Sequence, residues 1–168
     1  MRYKIYLETQ IERKKTRFIE SNTFHRNDNR KGLQIMCVVP QLTDLDLTDI
    51  DTIAIDLETY DPNLKTKGSG AVRKDGFVCG IAIATKKQTL YFPIAHNMTD
   101  NLNTPKTWKF LNEKVFKNKG LRKIFHNAMY DVCWIRSATG EMPQGSLLDT
   151  MIAASVIDET RMKYSLDS

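Results

Sequence analysis

Ile53-Ala54-Ile55-Asp56-Leu57-Glu58-Thr59 is an apolar run of strand-forming residues that stops abruptly at two carboxylates. Side chains alternate along a strand, so Asp56 and Glu58 point to one side. Two anions held that close repel each other, and a hard divalent cation with oxygen ligands, Mg²⁺ or Mn²⁺, is the usual counter-charge. An isolated D-x-E is short and common, and taken alone it reads as an ordinary strand whose polar end meets solvent. The residues downstream have to decide between the two.

Working outward, Thr52 to Glu58 is the first predicted strand, and a loop with Pro62, Gly68, Gly70 and Gly76 leads to a second, Val78 to Thr85. Lys86-Lys87-Gln88 is a hairpin turn into a third, Thr89 to Ala95. Helices follow. Thr104-Pro105 is an N-cap with proline at the first helical position, and Trp108, Leu111, Val115 and Phe116 keep near-helical spacing up to Gly120. A fourth strand (Leu121 to His126), a helix (Ala128 to Ala138), a fifth short strand (Gly145 to Leu148) and a helix from Thr150 to about Ile157 complete the pattern.

The 168 residues suffice for about one domain, and 41% apolar with 27% charged residues is the mix of a globular protein rather than a disordered one. Cys37, Cys79 and Cys133 are odd in number and widely spaced, which argues against a disulfide framework or a zinc site and for a reducing cytoplasm. No apolar run approaches the roughly 20 residues of a membrane span, and the N-terminus lacks the apolar core of a signal peptide. A membrane partner is therefore not expected.

Charge is unevenly placed. Residues 1–31 hold nine Lys/Arg against four Asp/Glu, while the remaining chain holds sixteen of each, so the whole net charge of +5 sits at the N-terminal end. Arg13-Lys14-Lys15-Thr16-Arg17 with Arg26, Arg30 and Lys31 is either a contact for a phosphate backbone or a solvated leader, and composition does not choose. Lys4 to Thr9 and Leu33 to Val39 have the character of short strands, and Pro40 to Asp51 reads as a linker. The chain thus divides into a basic arm and linker, 1–50, and a main domain, 51–168.

The second chemical stretch is His126-Asn127-Ala128-Met129-Tyr130-Asp131. Asn127 and Asp131, four apart at a helix start, share a face. By themselves they read as helix capping, with Asn127 as N-cap and Asp131 in the first turn. Beside Asp56 and Glu58, however, Asp131 supplies the third carboxylate that a two-metal phosphodiester site requires.

In order along the chain, D-L-E-T at Asp56–Thr59, N-A-M-Y-D at Asn127–Asp131, L-D-T-M-I-A-A from Leu148 and Y-S-L-D-S from Tyr164 resemble the DEDD superfamily of 3′–5′ exonucleases. The likeness is greatest to the proofreading exonuclease domain of family A DNA polymerases. Tyr91-Phe92-Pro93-Ile94-Ala95-His96 is similar to that family's third strand, and Asp61-Pro62-Asn63-Leu64 with Lys74-Asp75-Gly76 has a phage-type flavour. The resemblance implies an α/β, RNase H-like fold: a mixed five-stranded sheet, three antiparallel strands then two parallel, flanked by helices. It also implies that Asp56, Glu58 and Asp131 bind two divalent ions, Mg²⁺ or Mn²⁺, that Thr59 meets the 3′-terminal nucleotide, and that Asn127 braces the site or substrate. Asp149, which opens a helix in the family, is expected to be structural together with Thr150.

The family's last motif, Tyr or His with Asp four residues on, is not matched. Tyr164 is followed at that spacing by Ser168, and His96 with Asp100 precedes the second motif in a loop, so the latter match is read as coincidence. The expectation is a C-terminally incomplete exonuclease domain, weak in isolation. Its partners would be single-stranded DNA 3′ ends and the C-terminal remainder of the exonuclease or polymerase, on the same or a separate chain. Two rival readings remain: a ribonuclease D-like exoribonuclease and a catalytically incomplete nucleic-acid-binding module.

Overall fold

The computed structural model describes residues 39–97, 100–161 and 163–165. The strand expected at Lys4 to Thr9, the basic arm, and all but Val39 of the strand expected at Leu33 to Val39 lie outside the described residues.

β1 (Thr52–Tyr60) runs two residues further than predicted and forms the centre of the sheet. β2 (Phe77–Ala84) and β3 (Thr89–Pro93) follow it antiparallel, joined by the hairpin at Lys86-Lys87 that Thr85 and Gln88 close with a backbone hydrogen bond of 2.8 Å. β4 (Arg122–Phe125) and β5 (Leu147–Asp149) are added in parallel on the other side, and the order across the sheet is β3-β2-β1-β4-β5. This mixed five-stranded sheet with flanking helices is the RNase H-like arrangement.

The loop after β1 carries two single-turn helices that the glycines and proline concealed, α1 (Leu64–Lys67) and α2 (Gly70–Arg73). α3 (Thr104–Leu111) continues into a π turn at Asn112–Phe116. Its N-cap is Asn103, whose side chain accepts from the Lys106 N–H at 3.0 Å, rather than Thr104. The Thr104 hydroxyl instead donates to the carbonyl of Ile94 at 2.7 Å, so threonine is drawn away from capping by a tertiary acceptor. α4 (Ala128–Thr139) and α5 (Thr150–Ile157) complete the described fold.

The two faces of β1 differ as its alternation demands. Ile53, Ile55 and Leu57 join Ile81, Ile83 and Phe92 in the main core, where Leu111, Val115, Val132, Trp134 and Ile135 from the helical segments cover them. The opposite face carries Ala54, Ala82, Ala84 and Tyr91, and on this small-residue face stand Asp56 and Glu58. The stretch read as a linker is tied to the core as well, since Leu45 is buried and Leu42, Leu47 and Ile50 pack beside it.

Candidate active site

β1 and β4 pair only over Thr52–Ala54, against Arg122–Ile124, so beyond Ala54 this edge of β1 has no partner strand among the described residues. The chain leaving β4 instead turns through His126 and Asn127 into α4 and brings a side chain to that edge. Asp131, only 3% exposed, accepts a hydrogen bond from the Leu57 N–H at 3.1 Å through Oδ1. Leu57 lies between Asp56 and Glu58. Residues 74 positions apart therefore meet at one point of β1, at the carboxyl ends of two parallel strands where α/β sheets place their ligands.

Asp56 and Glu58 are half-buried side by side, as expected. Asp131 does not cap its own helix; it spans to the neighbouring strand. The structure thus brings all three predicted carboxylates to one short segment, yet among the described residues no three His, Cys, Asp or Glu side chains converge into a ready-made cage. One oxygen of Asp131 is committed to the Leu57 backbone amide. In chemistry the set still fits a hard cation, being all carboxylate, partly shielded from water and anchored to the rigid central strand.

Thr59 and Asn127, the expected substrate contacts, are held differently from each other. Thr59 Oγ1 lies 2.7 Å from the Tyr130 hydroxyl, which in turn donates to Asp61 Oδ2 at 3.3 Å. Tyr130 was not singled out in the sequence, although it stands one residue before Asp131. Asn127 is exposed with φ 63°, a left-handed conformation that asparagine tolerates better than most residues, and its side chain makes no capping hydrogen bond. The capping reading of Asn127 is therefore corrected.

Asp149 takes that role from outside the helix. Its carboxylate accepts from the N–H groups of Asn127 at 3.1 Å and Ala128 at 2.8 Å, which open α4, and from Met151 at 2.8 Å and Ile152 at 3.4 Å, which open α5. Burial pushes the Asp149 carboxyl up, but these four donors outweigh it and hold the group below its ordinary value. Thr150 donates to the Phe125 carbonyl at 3.0 Å, so the 2.9 Å bond to His126 Nδ1 leaves the imidazole as donor. Both residues serve the architecture of the site.

His96, set aside in the sequence, lies on the same side of the sheet as the paired acids. Tyr91 registers against Ala82, which registers against Asp56, and the next row is Pro93, Gly80, Glu58. Tyr91 leans over Gly80 so closely that a Cβ there would meet its hydroxyl at 2.0 Å. The hydroxyl is 2.6 Å from His96 Nε2. Burial, with the charge of Glu58 adding to it, raises the Tyr91 hydroxyl well above its ordinary value; burial lowers His96, with Glu58 opposing. A buried tyrosine paired with a partly exposed histidine near Glu58 was not legible from sequence, because only the β2–β3 register brings it there.

Comparison with known proteins fits this geometry. The family model of 3′–5′ exonucleases matches residues 41–168. No curated protein sequence matches the chain. Among solved structures, Brucella melitensis NrnC bound to pGG is 24% identical with a TM-score of 0.52, over 72% of this chain and 51% of that one. NrnC with bound Mg²⁺ gives the same identity and score over 72% and 52%. The Trypanosoma brucei RNase D:GMP complex is 17% identical with a TM-score of 0.50, over 69% and 31%. These likenesses concern the fold, and the chain spans about half the length of the NrnC structures it matches. With the family model covering everything from the segment before β1 to the last residue, the chain belongs to the 3′–5′ exonuclease family.

Proposed function

We propose that this chain removes nucleotides from the 3′ end of single-stranded DNA, as the proofreading exonuclease of a DNA polymerase, with two divalent ions held by Asp56, Glu58 and Asp131. The observation that carries the reading is the Asp131–Leu57 hydrogen bond, which ties the third carboxylate to the backbone of the residue between the first two. Bound Mg²⁺ or Mn²⁺ supplies a water of lowered pKa and a counter-charge for the leaving oxygen.

The chain's own groups do the rest. Asp56 and Glu58 present oxygens from one face of a rigid strand, and Asp131 is prevented from swinging away by the Leu57 amide. Thr59, braced by Tyr130 and Asp61, offers a fixed hydroxyl to the terminal nucleotide. Asn127, exposed on its left-handed residue, offers an amide able to donate to a phosphate or sugar oxygen. The likeness of the D-L-E-T and N-A-M-Y-D motifs to family A polymerases supports DNA as substrate. A second reading, an RNA 3′ end, draws on the fold shared with an RNase D bound to GMP.

Calorimetry with Mn²⁺ on the native chain and on an Asp56→Asn, Glu58→Gln double variant tests the metal assignment. The double variant should bind at least tenfold more weakly; equal affinity removes the proposed site. Parallel assays on 5′-labelled DNA and RNA single strands decide the substrate, since shortening of RNA alone would favour the second reading.

A further inference from the structure

Tyr60 and Phe77 are cross-strand partners at the end of β1 and the start of β2. Their rings stack with centroids 5.2 Å apart and planes inclined by 30°, yet Tyr60 remains 54% and Phe77 44% exposed. A stacked aromatic pair left this open to water keeps apolar surface that the protein does not use for its own core.

Its position is informative. The register irregularity between Glu58 and Thr59 is absorbed on β2 at Cys79, so the alternation of β1 runs on unbroken and Tyr60 emerges on the face of Asp56 and Glu58. Two residues of strand separate Tyr60 from Glu58, a spacing of roughly 7 Å. The pair is also rigidly seated. A Cβ on Gly76 would stand 2.3 Å from the Tyr60 carbonyl oxygen and 3.0 Å from the Trp134 ring, so the glycine lets the chain come close enough to set Phe77 against Tyr60.

The loop between the two aromatics carries the complementary charge. Arg73 binds Asp75 at 2.9 Å and Asp61 at 3.6 Å, so both loop carboxylates are offset internally. Lys65, Lys67 and Lys74 of the same loop are exposed. Exposed aromatic rings joined by a loop of exposed lysines are the combination that single-stranded nucleic acid recognises, the rings stacking on bases and the lysines meeting phosphates.

We propose that the Tyr60–Phe77 pair is a stacking platform for a base of the single strand, within about one nucleotide of the bond poised at Asp56 and Glu58. This rests on the exonuclease reading for what happens at the carboxylates, but binding on the platform does not require hydrolysis. Every base has a π face, so the platform senses the presence of a base and not its identity.

The test measures anisotropy of a 5′-labelled single strand with the full chain in metal-free buffer, where nothing is cut. One strand carries ordinary bases and a second has abasic sites at its last three 3′ positions; DNA and RNA versions of both are titrated, because a stacked base is common to the two. The native chain should bind the abasic strand about tenfold more weakly. Tyr60→Ala and Phe77→Ala should weaken binding to the ordinary strand and abolish the difference between strands. Tyr60→Trp should restore the difference, with an indole emission quenched by the ordinary strand alone. Retention of native discrimination by both alanine variants, or no discrimination in the native chain, overturns the platform. Hydrolysis measured separately with Mn²⁺ keeps the two ideas apart: base-dependent binding without cleavage leaves the platform and removes the exonuclease reading, whereas cleavage with base-blind binding does the reverse.

Discussion

Asp149 is a single carboxylate that begins two helices. By accepting from two N–H groups at each of α4 and α5 it does the work of two N-caps and places a negative charge at both positive helix ends. Replacing it with alanine leaves those donors without their acceptor. We expect Asp149→Ala to lower unfolding stability at pH 7 by about 1–3 kcal/mol, read from the urea midpoint. The sign of the pH dependence follows from the depressed carboxyl. Its contribution is complete above the unfolded value near 3.9 and is lost as pH falls through the lower folded value. The native and variant chains should therefore converge in stability on acidification; a gap that stays constant to pH 2 would show that the carboxylate charge is not the source.

At the scale of elements, the parallel half of the sheet hangs on Lys123. It belongs to β4, is fully buried, and its ammonium donates to the carbonyls of Asn118 at 2.7 Å, Leu121 at 2.8 Å and Gln144 at 2.8 Å. Those carbonyls lie in the segments preceding β4 and β5, so one side chain ties the starts of both strands together. Gly145, with φ 83°, completes the junction, since a Cβ there would stand 2.6 Å from the Lys119 carbonyl oxygen. Lys123→Met keeps the apolar stem but strands three acceptors, and should cost about 2–4 kcal/mol. The loss should be local first. Amide exchange at Lys123, whose N–H donates to the Ser146 carbonyl at 2.9 Å, should accelerate more than exchange in β2; uniform acceleration would mean the lysine supports the whole fold equally.

For the molecule as a whole, the uneven charge sets how nucleic acid would be gathered. The surplus of residues 1–31 lies outside the described residues, while the loop between β1 and β2 carries exposed lysines of its own. If the arm meets phosphates, deleting residues 1–31 should weaken single-strand binding and flatten the slope of log affinity against log salt by about 0.7 for each phosphate no longer neutralised. An unchanged slope would assign the arm to solubility. Because Tyr60 and Phe77 are retained when residues 1–31 are removed, the preference for base-bearing strands should survive the deletion.

The sequence by itself determined the order of the five strands and of the three longer helices, the common face of Asp56 and Glu58, and the family. Each follows from short-range periodicity or from motifs read along the chain, which need no knowledge of what lies opposite. The Thr150–Ile157 helix agreed to the residue because Asp149 marks its start in the sequence; the cap of α3 did not, since Thr104 finds a better acceptor in Ile94. Only the tertiary structure decided that Asp131 serves β1 rather than its own helix, that Asp149 replaces Asn127 as the cap of α4, and that Tyr91 and His96 stand beside Glu58. Each of these depends on strand register and on where β4 parts from β1. A hydrogen bond across 74 residues leaves no periodic trace in the chain, because its geometry exists only once the sheet has formed.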